Sequence, residues 1–441
     1  MDTNEASNGT LAGSATDDRI VIQVDASEPR PIPRRRRITI IAFSAFVALW
    51  TLLFLASGSL QRGPNPNHLG GDYALLLSGA EVLQSGGNPY NQQVLYRAEK
   101  QLLRNDGMSA PRFDPYMRVG NPPWLFWAMG PLTGASFRAS AKLWSLGMYF
   151  VLALGFLGCL IRMGWRRKWL PLLLFLTLPQ TIYAAFYGNV DALVFAALAW
   201  SAALTRRRPL AAGVLLSVTF LKPQVALPGA VLIVLFLSPN RGRVIVGFIA
   251  ATIVLFVLTL GTTGFESVGW WLQALTDYSQ RLGVQPDIAS LSGLYVYSAP
   301  DKLRIAFEAV SLVGVAAVTV VWWHRRRSQV SSVLEVGWLW IAWFLATPFA
   351  HFHDEVVLTL PVLAIVGRDA AWLGRWPATL ALYALLFSIL VFPTSRAHTD
   401  FQSLTLVVVL ACAVAQLHWR TTGTDSPVES QSMNVPRGDK G

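Results

Sequence analysis

Apolar runs of about bilayer length recur along almost the whole 441-residue chain, and they constrain its fold more than any other feature. The run that starts at Ile38, ITIIAFSAFVALWTLLFLAS, is one example. A hydrocarbon core about 30 Å thick is crossed by a helix of about 20 mostly apolar residues. Hydrophobic residues make up 53% of the chain and charged residues only 14%. The sequence therefore predicts an all-α polytopic integral membrane protein in a lipid bilayer.

The net charge of +11 would also suit a nucleic-acid partner, but the basic residues are concentrated in short segments between the apolar runs. Such clusters mark the cytoplasmic loops of membrane proteins. We therefore interpret the charge as a signal of orientation and expect no nucleic-acid partner. The clusters are RPIPRRRR (30–37), RMGWRRK (162–168), TRRR (205–208), NRGR (240–243), HRRR (324–327) and, more weakly, GRDAAWLGR (367–375).

Twelve spans place all these clusters on the cytoplasmic side, together with both termini. The spans are predicted at residues 38–58, 140–161, 169–186, 189–205, 209–221, 223–238, 243–262, 303–323, 334–350, 354–367, 372–392 and 400–418. Residues 38–419 form the transmembrane domain in this interpretation. The polar residues 1–37 and 420–441 are predicted to be disordered cytoplasmic tails, and the acidic start of the chain does not resemble a signal peptide.

Several predicted elements are too short to be simple spans. Residues 209–238 must cross twice, with Lys222 and Pro223 at the turn, and broken helices are tolerated where they pack on protein or line a wet cavity. The segment PPWLFWAMGPL (122–132) is predicted to be a short helix in the outer interface, because prolines favour a helix start and tryptophans favour the headgroup level. Cys159 and Cys412 lie in apolar runs and provide neither a disulfide framework nor a metal motif.

Under this topology, polar and ionisable residues gather in six outer loops, two of them long, at about 59–139 and 263–302. Such residues at the edges of membrane spans are costly and tend to be functional. The sequence thus predicts a site that faces away from the cytoplasm, where helices end. The outer polar residues are Asp72, Asn88, Tyr90, Asp114, Tyr116, Arg118, Asn121, Gln180, Tyr187, Asn189, Asp191, Lys222, Gln224, Glu266, Asp277, Tyr278, Gln280, Arg281, His351, His353, Asp354, Glu355, Arg396, His398 and Asp400.

Helix capping is the alternative explanation for the acidic residues among them. Asp72 precedes an apolar helical face and could be an N-cap. Asp354 or Glu355 is expected to favour a helix start through the helix dipole, and capping is expected to explain one of Asn189 and Asp191, with Asn189 the better candidate for a substrate hydrogen bond.

The basic residues leave their own alternatives open. His351 and His353 have no role in starting a helix, so we expect at least one to be functional. A zinc site there would lack cysteine ligands and defined further ligands, and we predict no metal and no cofactor. Lys222 could snorkel to the surface or contact an anion at the broken helix ends.

The order of segments resembles glycosyltransferase family 87, a polyprenyl-phosphate-mannose-dependent, mannosyltransferase-like group with the GT-C fold. The resemblance covers residues 38 to 418 and rests on the ordered set: an Asp after the first span, GGNPYN, NPPWLFWAMGPL, AAFYGNVDALVFAALAWSAAL and AAGVLLSVTFLKPQVAL. Two elements depart from the family pattern, which has YPP where this chain has NPP, and GQ-N where it has YGN-V.

The resemblance implies an inverting hexosyltransferase of the plasma membrane that uses a polyprenyl-phosphate sugar donor, with mannose the expected sugar, and a lipid or glycan acceptor. Asp72 matches the family's acidic residue in the first outer loop and would act as general base or orient the acceptor, a role that His353 or His351 could share. Lys222 would stabilise the phosphate leaving group electrostatically, and Arg118 or Arg281 could contribute. Candidate substrate-binding residues also include Asn189, Gln224, Asn121 and Tyr90.

A transporter or flippase for a lipid-linked or polar solute is the alternative. Transporters commonly contain interrupted helices in two similar halves, and we find no internal repeat here. The predicted polar residues also lie only on the outer side of the membrane, whereas alternating access needs a polar route to the cytoplasmic side.

Overall fold

A computed structural model of the chain describes residues 71–107, 119–164, 172, 175–176, 179–280, 289–291, 301–348, 350–366, 405–415 and 417. Within these ranges the chain is helical with connecting turns, and contains no strand. The helices are α1 (Gly71–Gln84), α2 (Gln92–Asn105), α3 (Pro123–Ala128), α4 (Phe137–Arg162), α5 (Pro179–Tyr187), α6 (Asp191–Leu204), α7 (Pro209–Leu216), α8 (Pro223–Leu232), α9 (Arg241–Gln280), α10 (Asp301–Arg326), α11 (Val333–Ala346), α12 (Thr359–Val366) and α13 (Thr405–Ala415).

Three stretches in the described part of the chain are long and apolar enough to cross a membrane: α4, residues Arg241–Thr276 of α9, and residues Ile305–Arg326 of α10. This finding confirms a helical membrane protein. The predicted spans at 38–58 and 372–392 lie outside the described residues, so the count of twelve stays a prediction.

The predicted break at Lys222 is confirmed. Helix α7 continues as a 3₁₀ helix to Leu221, Lys222 has non-helical backbone angles (φ −149°, ψ 68°), and Pro223 starts α8. Helix α8 in turn ends in a π-helical turn, Ile233–Leu237. Proline has no N–H to donate and a fixed φ, so it suits the first turn of a new helix. Two short helices therefore meet end to end at Lys222 inside the protein.

Helices α1, α2 and α3 lie in the segment that the sequence analysis assigned to the first long outer loop, and the placement of that segment outside the membrane stays a prediction. Helix α3 has only six residues and is followed by the 3₁₀ turn Gly130–Leu132. The second long loop differs from the prediction, because α9 continues beyond residue 263 to Gln280 with a kink at Gly264. Gly264 has φ 77° and ψ 167°, which a residue without Cβ adopts readily. After the kink, Trp271 Nε1 donates to the Gly120 carbonyl at 2.9 Å, which ties this extension to the segment that precedes α3.

Glycines allow some of the helices to pack with their backbones in contact. A Cβ on Gly213 of α7 would lie 2.0 Å from the Val244 carbonyl oxygen of α9. A Cβ on Gly247 of α9 would lie 2.2 Å from the Leu210 carbonyl oxygen of α7. Small residues permit such close approach between helices in membranes. This contact fixes α7, and with it the break at Lys222, against a long helix.

Consecutive short helices of the bundle run in opposite directions, so their ends form two groups. The basic segment 205–208 connects α6 to α7, and the segment 240–243 lies at the start of α9, where Arg241 Nη1 donates to the Arg327 carbonyl at 2.8 Å. The opposite ends of α6, α7, α8 and α11 lead to Asp191, Lys222 and the segment 351–354. The basic clusters and the buried polar residues thus lie at opposite ends of these helices, while their orientation in the membrane stays a prediction.

Candidate active site

Three predicted residues from distant parts of the chain meet at the ends of helices. Asp72 lies in the first turn of α1, Asn189 lies just before α6, and His353 lies in the 3₁₀ helix Phe352–Leu358. Asn189 Nδ2 lies 2.5 Å from Asp72 Oδ2 and 3.1 Å from His353 Nε2. Asp72 and Asn189 are half-buried, whereas His353 is buried. The carboxylate that the sequence singled out is thus joined through one amide to a histidine.

The Asn189 side chain is oriented by its own helix start. Its Oδ1 accepts from the Val190 N–H at 2.6 Å, so the amide NH₂ faces Asp72 and His353. An NH₂ group has two hydrogens to donate, one for each partner. Donation to His353 Nε2 requires that this nitrogen carry no proton, so the arrangement fits a neutral imidazole that can accept a proton.

A buried ionic cluster lies directly beside these residues. Lys222 Nζ lies 2.8 Å from Asp191 Oδ1 and 2.5 Å from Asp354 Oδ1. Asp191 Oδ2 lies 3.6 Å from His353 Nε2, so the cluster and the histidine share a carboxylate. Buried charges are costly unless they are paired, and here one cation from the helix break holds two carboxylates from two other elements.

The second histidine packs beside the first. The rings of His351 and His353 lie 5.4 Å apart and nearly parallel, and Tyr187 stacks on His353 at 5.2 Å. The His351 backbone N–H donates to Asp354 Oδ2 at 2.8 Å. The His353 ring therefore packs against two aromatic rings. One is Tyr187 at the end of α5, and the other is His351 in the same segment.

The segment predicted as the first outer loop reaches the break through Tyr90 and Asn121. The Tyr90 hydroxyl donates to the Asn121 carbonyl at 2.8 Å, and Asn121 Nδ2 donates to the Leu221 carbonyl at 3.0 Å. Burial raises the pKa of Tyr90 above its usual range, so its hydroxyl remains a donor. Asn121 is the residue at which the chain departs from the family's YPP element, and its side chain satisfies a carbonyl freed by the broken helix.

The remaining predicted site residues have different outcomes. Gln224 follows Lys222 by two residues and is half-buried, and its carbonyl accepts from Thr347 Oγ1 at 3.4 Å. Arg118 and Arg281 lie outside the described residues. Their roles, like every residue role assigned from the sequence, stay predictions.

Glu99 was missed by the sequence reasoning. It lies on α2, which packs against α1, and only 3% of its surface is exposed. Burial raises the pKa of Glu99 to about 7, and the charge of Asp72 contributes in the same direction. The only sequence signal was a glutamate on the apolar side of an amphipathic helix, at a position between Leu95 and Leu102 that are both buried.

The capping predictions were partly right. Asp354 does accept from the backbone at the start of its 3₁₀ helix, but it also pairs with Lys222. The donor is the N–H of His351, which is the N-cap residue of that helix, so the expectation that His351 has no role in starting a helix was wrong. At the start of α6 it is Asn189 whose side chain bonds to the local backbone, while Asp191 binds Lys222. Asp191 and Asp354 belong to the polar cluster, although the sequence analysis counted them only among the outer polar residues and gave neither a catalytic or binding role. A long-range partner such as Lys222 leaves no trace in local spacing.

The same cluster has the composition of a metal site. Asp191, His353 and Asp354 offer ligand atoms within 4.8 Å of one another. Lys222 Nζ, however, already contacts both carboxylates, so the protein supplies the cation that these groups require. A metal would have to displace that ammonium, and the residues fit an ion pair better than a metal centre.

These features define the chain as a multi-span helical membrane protein with a buried polar cluster in which a carboxylate, an amide and a histidine converge. The model of glycosyltransferase family 87 matches residues 120–348, just over half of the chain. The chain belongs to this family and is thus a glycosyltransferase by membership, which confirms the resemblance and does not favour a transporter. Searches among curated proteins and among solved structures gave no match.

Proposed function

We propose that the protein transfers a hexose, with mannose the expected sugar, from a polyprenyl-phosphate donor to a lipid or glycan acceptor on the extracytoplasmic side of the plasma membrane, with inversion. One observation carries this proposal. The Asp72 carboxylate, the Asn189 amide and the His353 imidazole meet within hydrogen-bonding distance, in a chain that belongs to a glycosyltransferase family.

The reaction needs a base for the acceptor hydroxyl. As the hydroxyl oxygen attacks the anomeric carbon, the bond from that carbon to the phosphate oxygen breaks and the phosphate leaves with the electron pair. The hydroxyl proton passes to the base. Asp72 is half-buried and therefore accessible to an acceptor, and Asn189 orients its carboxylate.

His353 is the alternative base. Its Nε2 faces the Asn189 amide and lies 3.6 Å from Asp191 Oδ2. General bases work best when their pKa lies near the working pH, and histidine starts from about 6.5.

The leaving group is a lipid phosphate with negative charge. Positive side chains that face it would stabilise the transition state. Arg118 and Arg281 of the two predicted outer loops are the expected partners, because Lys222, the other cation considered from the sequence, is already paired with two carboxylates. A monophosphate leaving group makes a metal less necessary, which agrees with the ion-paired carboxylates at Lys222.

Incubation of the purified protein with labelled polyprenyl-phosphate-mannose and a native lipid extract tests this proposal. We expect the label to move to a new product. Saturable donor binding without transfer would point to another acceptor or another sugar. Transport of the donor across vesicle membranes without any transfer would contradict the proposal and favour a flippase.

A further inference from the structure

Lys222 and two carboxylates come together from three separate elements. Lys222 lies at the break between α7 and α8, Asp191 lies at the start of α6, and Asp354 lies in the 3₁₀ helix Phe352–Leu358. Only 8% of the Lys222 surface is exposed, and both carboxylates are fully buried. The ammonium lies within 2.8 Å of an oxygen of each carboxylate.

The charge balance of this cluster argues against a free phosphate site at Lys222. One ammonium between two carboxylates leaves the group with a net charge of minus one when all three are ionised. A donor phosphate brought to Lys222 would approach two buried carboxylates, and like charges in a low-dielectric site repel strongly. Lys222 therefore has its counterions already.

Both carboxylates that Lys222 holds also contact the histidine segment. Asp191 Oδ2 lies 3.6 Å from His353 Nε2. Asp354 directly follows His353, and its Oδ2 accepts from the His351 N–H at 2.8 Å. The ion pairs thus fix both the imidazole and the backbone that carries it.

We propose that Lys222 is a positioning residue, whose ammonium holds Asp191 and Asp354 and so fixes His353 against Asn189 and Asp72. This inference deepens the proposed function and rests on it. The positioning role takes the place of the phosphate contact that the sequence suggested for Lys222. The ammonium acts on the reaction through the two carboxylates and His353.

The first test asks whether Lys222 and Asp191 are energetically coupled. Lys222→Met leaves two carboxylates buried without their cation, and we expect a large drop in the temperature of thermal unfolding in detergent. Adding Asp191→Asn removes one of the opposed charges and should restore much of that loss. Lys142→Met is the matched control, because Lys142 is exposed near the start of α4, and it should leave unfolding unchanged. Additive effects of the two substitutions would overturn the ionic cluster.

The second test separates positioning from phosphate binding by steady-state kinetics of the rescued double variant. A positioning role predicts a donor KM close to that of the wild type and a kcat reduced by about 10–100-fold, the range seen when groups that orient a functional side chain are lost. A donor KM raised about tenfold or more, with kcat retained, would show direct phosphate contact and overturn the proposal.

A third readout does not depend on transfer. The imidazole resonance of His353 in histidine-labelled protein, assigned by its loss in His353→Gln, should shift in the double variant and remain unchanged in Lys142→Met. An unchanged resonance in the double variant would overturn the positioning role. Wild-type protein that transfers no sugar would count against the proposed function alone, since the unfolding and resonance measurements would still decide on Lys222.

Discussion

The long, exposed helix α10 differs from the short helices α6, α7 and α8 in what surrounds it. Only 6% of the residues in the most apolar stretch of α10 are buried. Side chains such as Val310 and Val313 are about 70% exposed. Helices α6, α7 and α8 are shorter than a bilayer is thick and pack closely on their neighbours, α6 against α4 and α7 against α9. An exposed apolar surface of that kind suits contact with lipid, whereas the short helices need protein around their ends.

This difference indicates where chemistry can occur. A long apolar helix satisfies its own backbone and needs no polar partner within the membrane. A short helix ends inside the protein, and its end must be met by polar groups. Asn121 on the Leu221 carbonyl and Lys222 between two carboxylates meet that need, so the same helix ends that cost stability also gather the side chains of a site.

The largest effect is expected from Asp72→Asn, at the centre of the region of broken helices. The substitution keeps the shape and removes the basic oxygen, and a general base contributes about 10²–10⁴-fold to rate. We expect transfer to fall by about 100-fold or more, with unfolding unchanged, in the labelled-donor assay.

The matched control for that variant is Asp106→Asn, at the end of α2. Asp106 Oδ2 accepts from the Arg138 backbone N–H at 2.7 Å, a bond that the carbonyl oxygen of asparagine can replace. This variant should transfer sugar like the wild type. Normal activity of Asp72→Asn would remove Asp72 from the mechanism.

A smaller loss is expected from Asn189→Leu, which removes the amide between Asp72 and His353. Leucine keeps much of the shape and donates no hydrogen bond, so the carboxylate loses its orienting partner. We expect kcat to fall by about 10–100-fold, as for other orienting groups. The exposed Asn105, at the end of α2, provides the control Asn105→Leu, and equal activity of the two variants would contradict a role for the amide.

The pH dependence of stability tests the packing of α2 against α1. The pKa of Glu99 is raised from 4.5 to about 7 in the folded protein. Its contribution to stability is therefore fully present below about pH 4.5 and is lost as the pH rises through 7. We expect Glu99→Gln to gain stability relative to the wild type by up to about 1 kcal/mol per pH unit across that window, measured by thermal unfolding. A difference between the two proteins that does not vary with pH would show that Glu99 titrates normally.

The last pair of variants compares the two regions directly. Gly213→Ala places a methyl group 2.0 Å from the Val244 carbonyl, and such overpacking costs about 1–3 kcal/mol. Gly314→Ala lies on α10, where a Cβ would have no atom within 4 Å, so we expect unchanged or slightly raised stability. The same substitution thus has opposite outcomes in the two regions, and a similar loss of thermal stability in both variants would contradict the contrast.

The sequence predicted the long helices well, because hydrophobic length is a local property. Helix α4 was expected at 140–161 and runs from Phe137 to Arg162, and the break at Lys222 and Pro223 was also recognised. The extension of α9 beyond Gly264 was missed, because a glycine in a polar-flanked stretch looks like the start of a loop.

The site was predicted in part for the same reason. Asp72, Asn189 and His353 were each recognised from their position at a helix end, but nothing in their spacing showed that one amide would join the other two. Asp191 and Asp354 were interpreted as helix starts, because their partner Lys222 is distant in sequence. Glu99 was missed, because only its burial distinguishes it from other helical glutamates.

The most direct test of the account is a structure of the protein with a bound polyprenyl-phosphate sugar. We predict that the sugar ring lies within hydrogen-bonding reach of Asp72, Asn189 or His353, with the phosphate outside the cluster formed by Lys222, Asp191 and Asp354. A sugar bound elsewhere, with these residues covered by protein, would contradict the claim that the chemistry occurs where the broken helices end.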